Sequence, residues 1–178
     1  MRVLIRFIFT VSLMLFNHIH SQTTGNRTVS VTLPVITLLD IEPVGNINFS
    51  FIAPTEAGRP LINPESNNTK WINYTSAIAT GGVSRRVTAS INQLIPGVDI
   101  KLQTAASSGI GSGVLGTPAA QVTLSTTPTT IISGIGGAFT GNGANNGHRL
   151  TISLTTNNYS NLSTRSNTPI IITYTITD

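Results

Sequence analysis

The chain has 178 residues and no cysteine, and its 10 lysine and arginine residues against 6 aspartate and glutamate residues give a net charge of +4. Charged residues make up only 9% of the chain and its basic residues are scattered, which excludes the basic face that nucleic-acid binding requires. The lack of cysteine excludes disulfides and thiolate metal sites, and the length suits one domain.

Residues 1–21 have the pattern of a secretory signal peptide. Arg2 and Arg6 form a positively charged start, a short apolar stretch runs over residues 7–16, and Ser21 is a small residue suited to cleavage. The apolar stretch is shorter than the ~20 residues that span a bilayer, so we expect no stable membrane span. The sequence therefore predicts export to the periplasm, the cell surface or the medium, with residues 22–178 as one domain.

Residues 27–42, RTVSVTLPVITLLDIE, alternate apolar and polar side chains and are predicted to form an N-terminal extension strand. Their leading apolar side chains share one face and are the candidate donor strand, Val29, Val31, Leu33 and Val35. Pro34 lacks an N–H group, so ITLLDI is expected to resume as a second strand or beyond a bulge. The alternation leaves open whether this segment pairs within its own molecule or with a neighbour.

The middle of the chain carries repeated strand signals, rich in β-branched and aromatic residues and separated by glycine and proline. They cover residues 47–52, 69–78, 85–91, 98–104, 121–125, 129–133 and 148–156. No segment after the leader has helical periodicity. The pattern predicts an all-β fold, an Ig-like antiparallel β-sandwich of about seven to nine strands. Two glycine-rich stretches, SSGIGSGVLGTPAA and GIGGAFTGNGANNG, are expected to be loops.

The last segment, TPIIITYTITD, has the clearest alternation in the chain. One face carries four large side chains, Ile170, Ile172, Tyr174 and Ile176. Burying that face stabilises the fold by roughly 1.5–3 kcal/mol for each side chain. We therefore predict a C-terminal core strand.

The sequence offers little for catalysis. Residues 111–116 match G-x-G-x-x-G, but no helix pattern follows, so we expect a flexible loop and no nucleotide site. His148 is interpreted as a polar residue at a strand edge, with Asp99 as its one conceivable partner in a hydrolase. Asp40 and Glu42 share a strand face and are interpreted as a solvent-facing strand end. We predict no enzymatic activity, no cofactor and no metal.

Trp71 and Tyr74 suggest an alternative function. In a strand, W-x-x-Y places the two rings on opposite faces, so at least one of them is expected in the core. An exposed ring can stack on a sugar, which makes Trp71 the candidate contact of a monomeric, secreted carbohydrate-binding sandwich. Core packing is the favoured interpretation of both rings.

A signal peptide, the segment TVSVTLPVITLLD, the series of strands and an Asn-Tyr-Ser before the last strand together resemble chaperone–usher pilins and spore-coat-U-like exported subunits. The loop Ser160–Asn167 is longer than in that pattern. The segment WINYTS is also similar to one in small flavobacterial-type secreted proteins of unassigned role.

The resemblance implies a bacterial, non-enzymatic structural or adhesive fimbrial subunit. Its Ig fold would lack one strand, and the N-terminal extension of a sibling subunit would fill the groove by β-strand addition. The donor side chains would be Val29, Val31, Leu33 and Val35. A periplasmic chaperone would pair beforehand along the C-terminal strand that carries Ile170, Ile172, Tyr174 and Ile176.

Overall fold

A computed structural model describes residues 24–178, so the predicted signal peptide lies outside the described residues. The chain divides into two units, residues 1–33 and residues 34–178. In the first unit, the described residues 24–33 form no helix or strand, and their side chains are exposed. The expected strand over residues 27–42 is a strand only from Ile36 to Glu42.

The second unit is all-β, as the sequence predicts. Its nine strands are β1 (Ile36–Glu42), β2 (Asn67–Ala77), β3 (Arg85–Ile91), β4 (Val98–Ser108), β5 (Ser112–Pro118), β6 (Val122–Thr123), β7 (Thr129–Phe139), β8 (Gly147–Thr156) and β9 (Ile172–Thr177). The helical content of residues 24–178 is one 3-10 turn, Tyr159–Asn161, and no helix there is long and apolar enough to cross a bilayer.

All strand pairs are antiparallel, and the hydrogen-bonded order is β6-β4-β8-β2-β7-β3-β9, with β1 on β2 and β5 on β7. Strand β2 changes partner along its length. Its first half pairs with β8, whereas Thr75 and Ser76 pair with β7. The sheet thereby folds back on itself in a sandwich-like arrangement, since the two halves of β2 lead into different parts of the sheet.

The core consists of inward-facing side chains from β2, β3, β4, β7 and β8. Its fully or nearly fully buried members include Ile72, Val87, Ile100, Leu102, Ile132, Leu150 and Ile152. A β-bulge lies where β3 meets β7, between Val87 and Thr88. Such a bulge lets two successive residues of one strand face the same side, and Ile131 and Ile132 are indeed both buried.

Two expectations about strands were wrong. Residues 47–52 form no strand and contribute only an isolated bridge between Ile52 and Ile62. Conversely, neither glycine-rich stretch is wholly a loop: the first contains β5, and residues 134–139 of the second belong to β7, with which β5 pairs. Gly113 and Gly116 adopt positive φ in β5, and a register shift separates Gly113 from Leu115. Glycine allows this irregular pairing because it lacks a Cβ atom.

Arg85 connects the start of β1 to the end of β9. The Nη1 atom of this buried side chain donates to the carbonyl of Ile36. The same atom donates to Ser76 Oγ at 3.0 Å. Its Nε donates to Asp178 Oδ1 at 3.0 Å. A guanidinium group suits this position because its donors point in several fixed directions. One buried cation therefore joins three strands and the last residue of the chain.

Two tyrosines, Tyr74 and Tyr174, are expected to make the protein less stable at alkaline pH. Burial raises the pKa of Tyr74 and of Tyr174 above the ordinary value of about 10. The unfolded chain releases these protons near pH 10 while the folded protein keeps them. The stabilisation is thus fully present below about pH 10 and is lost as the pH rises further, by about 1.4 kcal/mol per pH unit for each tyrosine.

Urea unfolding at several pH values above about 9 measures this slope. We expect Tyr74→Phe and Tyr174→Phe each to halve it and the double substitution to remove it. An alkaline slope that both substitutions leave unchanged would contradict the assignment to these two phenols.

Candidate binding surfaces

The N-terminal segment, residues 24–35, presents an apolar face to solvent. Val29, Val31 and Leu33 are 82%, 75% and 86% exposed, and Val35 is also exposed. Single exposed apolar residues are common, but four at alternating positions of a segment that forms no strand are not. An extended chain with this pattern has the composition of a β-strand that lacks a partner.

Strand β9 is an edge strand. Among residues 24–178 it pairs only with β3, from Ile172 opposite Ile91 to Thr177 opposite Arg86. Natural edge strands are usually protected by charges, prolines or bulges. The sequence of β9, ITYTIT, contains no charged residue and no proline, and its pairing with β3 is regular. The free backbone groups of β9 are therefore an unprotected template for another strand.

The predicted core face of β9 is only partly covered. Ile170, Ile172, Tyr174 and Ile176 pack against the core, yet all four are half-buried and not buried. Another edge strand, β1, contacts β9, and its Leu39 and Ile41 are likewise half-buried against the core. Both strands at this seam thus carry apolar side chains that are only partly covered, while β1 differs from β9 in carrying Asp40 and Glu42.

The outer face of β1 and β2 forms a second surface, which we call the outer track. The register places Glu42 opposite Trp71, which in turn lies opposite Arg149 of β8. The next outward row pairs Asp40 with Asn73. The following row runs from Leu38 through Thr75 to Phe139 of β7.

The outer track ends in a cleft of about 490 Å³. Its walls include Leu38, Phe139 and Ile110, and its polar lining includes Asp40, Asn73 and Asn142. Two loops close one side of it, because Ile110 precedes β5 while Gly141 and Asn142 follow β7. This volume lies within the range of about 300–1,000 Å³ that small-molecule sites occupy.

Asn73 holds the loop that borders the cleft. Its Nδ2 donates to the carbonyl of Asn146 at 2.7 Å. Its Oδ1 is buried and accepts no hydrogen bond from any group in residues 24–178. An acceptor in that condition costs the fold roughly 1–3 kcal/mol, unless a water or ligand donates to it. Asn73 is therefore the least satisfied polar group of the cleft lining.

Trp71 and Tyr74 lie on opposite sides of β2. Tyr74 is buried in the core, whereas Trp71 is half-buried on the outer track. Trp71 does not line the cleft itself, but it lies two residues along the same strand face from Asn73.

His148 is not the polar edge residue that its position after a glycine-rich stretch suggests. It is fully buried, and its ring stacks on Tyr74 with 5.8 Å between ring centres. Its Nδ1 lies 2.9 Å from the carbonyl of Ala105, which can only accept, so Nδ1 carries a proton. The Tyr74 hydroxyl lies between the carbonyl of Leu115 and His148 Nε2, at 2.9 Å from the latter. The imidazole thus ties β8 to β2, β4 and β5 from inside the fold.

The structure separates His148 from Asp99. Asp99 lies opposite Thr155 and His148 opposite Ser107, so the two residues are about 26 Å apart along β4. The carboxylate of Asp99 instead accepts a hydrogen bond from Asn157 Nδ2 at 2.5 Å. The Ser-His-Asp arrangement considered for a hydrolase is therefore not assembled by this pair.

Sequence reasoning overlooked most of the cleft. Asn73 carries no signal of its own, and Ile110 and Phe139 fall in the two glycine-rich stretches that are predicted to be loops. Only the hypothesis that an exposed Trp71 contacts a sugar pointed in this direction. No group of three or more histidine, aspartate and glutamate side chains in residues 24–178 is arranged to hold a metal ion.

Comparison of the chain with models of protein families, with curated proteins and with solved structures found no match.

Proposed function

We propose that this protein is an exported structural subunit that assembles with copies or siblings of itself by β-strand addition. The donor is the N-terminal segment, and the acceptor is the free edge of β9 in the next subunit. The observation that carries the proposal is the exposed alternation of Val29, Val31 and Leu33 in a segment without a strand.

Donor and acceptor match in composition. The donor TVSVTLPV and the acceptor ITYTIT both alternate large apolar residues with small polar ones, except that Pro34 interrupts the donor. Neither contains a charged residue that strand pairing would bring against the core. Backbone hydrogen bonds along β9 would supply affinity, and the register of the valines would supply specificity.

Apolar burial is large enough to drive the association. Covering three donor side chains is worth roughly 1.5–3 kcal/mol each, before the cost of ordering the segment. The half-buried Ile172, Tyr174 and Ile176 would be covered in the same step. A periplasmic chaperone that pairs with β9 would protect these side chains until assembly.

A lysine substitution in the donor tests this proposal directly. In the protein from Gln22 to Asp178, Val31→Lys is expected to convert assemblies into monomers in light scattering. A charged side chain cannot enter an apolar groove without a partner, so the dissociation constant should rise at least about a hundredfold. Because Val31 is exposed, the substitution leaves the folded subunit unstrained.

Ser30→Lys is the matched control, since Ser30 lies on the opposite face of the donor and should still allow assembly. A form without residues 22–35 should be monomeric, and the peptide RTVSVTLPV should bind it. A protein that stays monomeric at high concentration, or that loses assembly equally with both lysine variants, would exclude strand donation by this face.

A further inference from the structure

The cleft at the end of the outer track has the chemistry of a sugar-binding site. We infer that it binds a neutral oligosaccharide whose chain continues along the outer track to Trp71. This goes beyond assembly, because the cleft includes neither the donor segment nor the β9 edge.

Two oxygen atoms of the cleft lining, one from Asp40 and one from Asn73, accept no hydrogen bond from residues 24–178. Asp40 Oδ1 accepts from the backbone N–H of Ile41 at 2.7 Å, and its other oxygen accepts nothing from residues 24–178. Asn73 Oδ1 is buried and has no donor in the same residues. Among residues 24–178 Asp40 forms no ion pair. A ligand that brings hydroxyl donors would reach the exposed carboxylate of Asp40.

The walls of the cleft are apolar and open. Leu38, Ile110 and Phe139 are 63%, 75% and 47% exposed, which is unusual for large apolar side chains gathered around one cavity. A pyranose ring combines a hydroxyl rim with an apolar C–H face. It can therefore lie on Phe139 while its hydroxyls reach the exposed Asp40 and Asn142.

Other ligand classes fit less well. An anion would be repelled by the Asp40 carboxylate, and the cleft lining contains no cation to balance it. A lipid chain would bury that carboxylate without a partner. An added peptide strand needs a free backbone edge, whereas the outer track presents side chains from a strand, β2, that is paired on both sides.

The extension to Trp71 follows from the register. Trp71, Asn73 and Thr75 point outward from β2, and Phe139 lies opposite Thr75. Trp71 and Thr75 are therefore about 13 Å apart along the strand, which suits a trisaccharide with a ring near each aromatic side chain. Glu42 and Arg149, on either side of Trp71, can hydrogen-bond to hydroxyls there.

Titration calorimetry with neutral tri- to pentasaccharides of the cello-, malto-, xylo-, manno- and chito-series tests the inference. We expect at least one series to bind. Asp40→Asn, Phe139→Ala and Trp71→Ala should each weaken that binding at least about tenfold, the effect of losing one charge-assisted hydrogen bond or one stacked ring. The melting temperature of each variant verifies its fold.

Glu65→Gln and Leu94→Ala are the controls, since they remove a carboxylate and an exposed apolar side chain outside the cleft. Both should bind like the unmodified protein. If no series binds, or if Asp40→Asn and Phe139→Ala leave the affinity unchanged, the inference is wrong. The diamine cadaverine is tested because the Asp40 carboxylate could attract a cation. If cadaverine binds and no saccharide does, the inference is also wrong.

The two proposals fail separately. The cleft variants keep the donor segment and should assemble normally, and the Val31→Lys monomer should still bind the saccharide.

Discussion

Replacing Arg85 by alanine should lower the free energy of unfolding by about 3–5 kcal/mol, because it removes charged hydrogen bonds worth about 1.5–3 kcal/mol each. The carbonyl of Ile36 and the hydroxyl of Ser76 would lose their donor in a part of the fold that water does not reach freely. Urea unfolding followed by circular dichroism measures the change.

Arg86→Ala is the matched control, since Arg86 is the next residue of β3 and its side chain is exposed. It should change stability by less than about 0.5 kcal/mol. Arg85→Lys keeps the charge but not the forked donors, so an intermediate loss is expected. Hydrogen exchange should show faster opening at β1 and β9 in Arg85→Ala. If Arg85→Ala is as stable as Arg86→Ala, the buried cation does not hold these strands together.

Gly113→Ala should destabilise the protein by about 2–5 kcal/mol, the sum of a strained backbone and an overpacked contact. Gly113 has φ +93°, and a Cβ atom there would lie 2.2 Å from the carbonyl oxygen of Gly137 and 2.8 Å from the Cα of Ala138. Both atoms belong to the backbone of β7, which cannot rotate away as a side chain can. The substitution therefore forces β5 away from β7.

Gly137→Ala is an informative control because Gly137 belongs to the same strand pair. A Cβ atom at Gly137 meets nothing within 4 Å, and its φ is not positive. We expect this variant to be unchanged or more stable by about 0.4–1 kcal/mol, since alanine restricts the unfolded chain. Equal stability of the two alanine variants, measured by urea unfolding, would show that the glycines of β5 are not needed for its pairing.

The sequence predicts the all-β fold because side-chain alternation is a local signal. β3 has the predicted bounds, and the alternation of β9 appears as half-buried isoleucine and tyrosine against exposed threonine. Strand β5 could not be predicted in the same way. Its glycines have the composition of a loop, and only the partner strand β7, itself rich in glycine, makes a strand out of them.

The candidate site was harder to predict because it depends on register between distant segments. Leu38, Asn73 and Phe139 belong to three different strands, and their proximity follows from the pairing of β2 with both β1 and β7. His148 was misjudged for a related reason. Its neighbours Tyr74, Ala105 and Leu115 come from three other strands, and the sequence around His148 contains no sign of them.

The position of Arg85 has a mechanical consequence for an assembly of the proposed kind. Tension along such a filament would enter a subunit through β9, where the neighbour's strand is added, and leave it through its own N-terminal segment, which ends just before Ile36. Arg85 contacts the last residue after β9 and the first residue of β1. Part of the load would therefore pass across one buried guanidinium group at the seam, beside the backbone pairing of β9 with β3 and of β1 with β2.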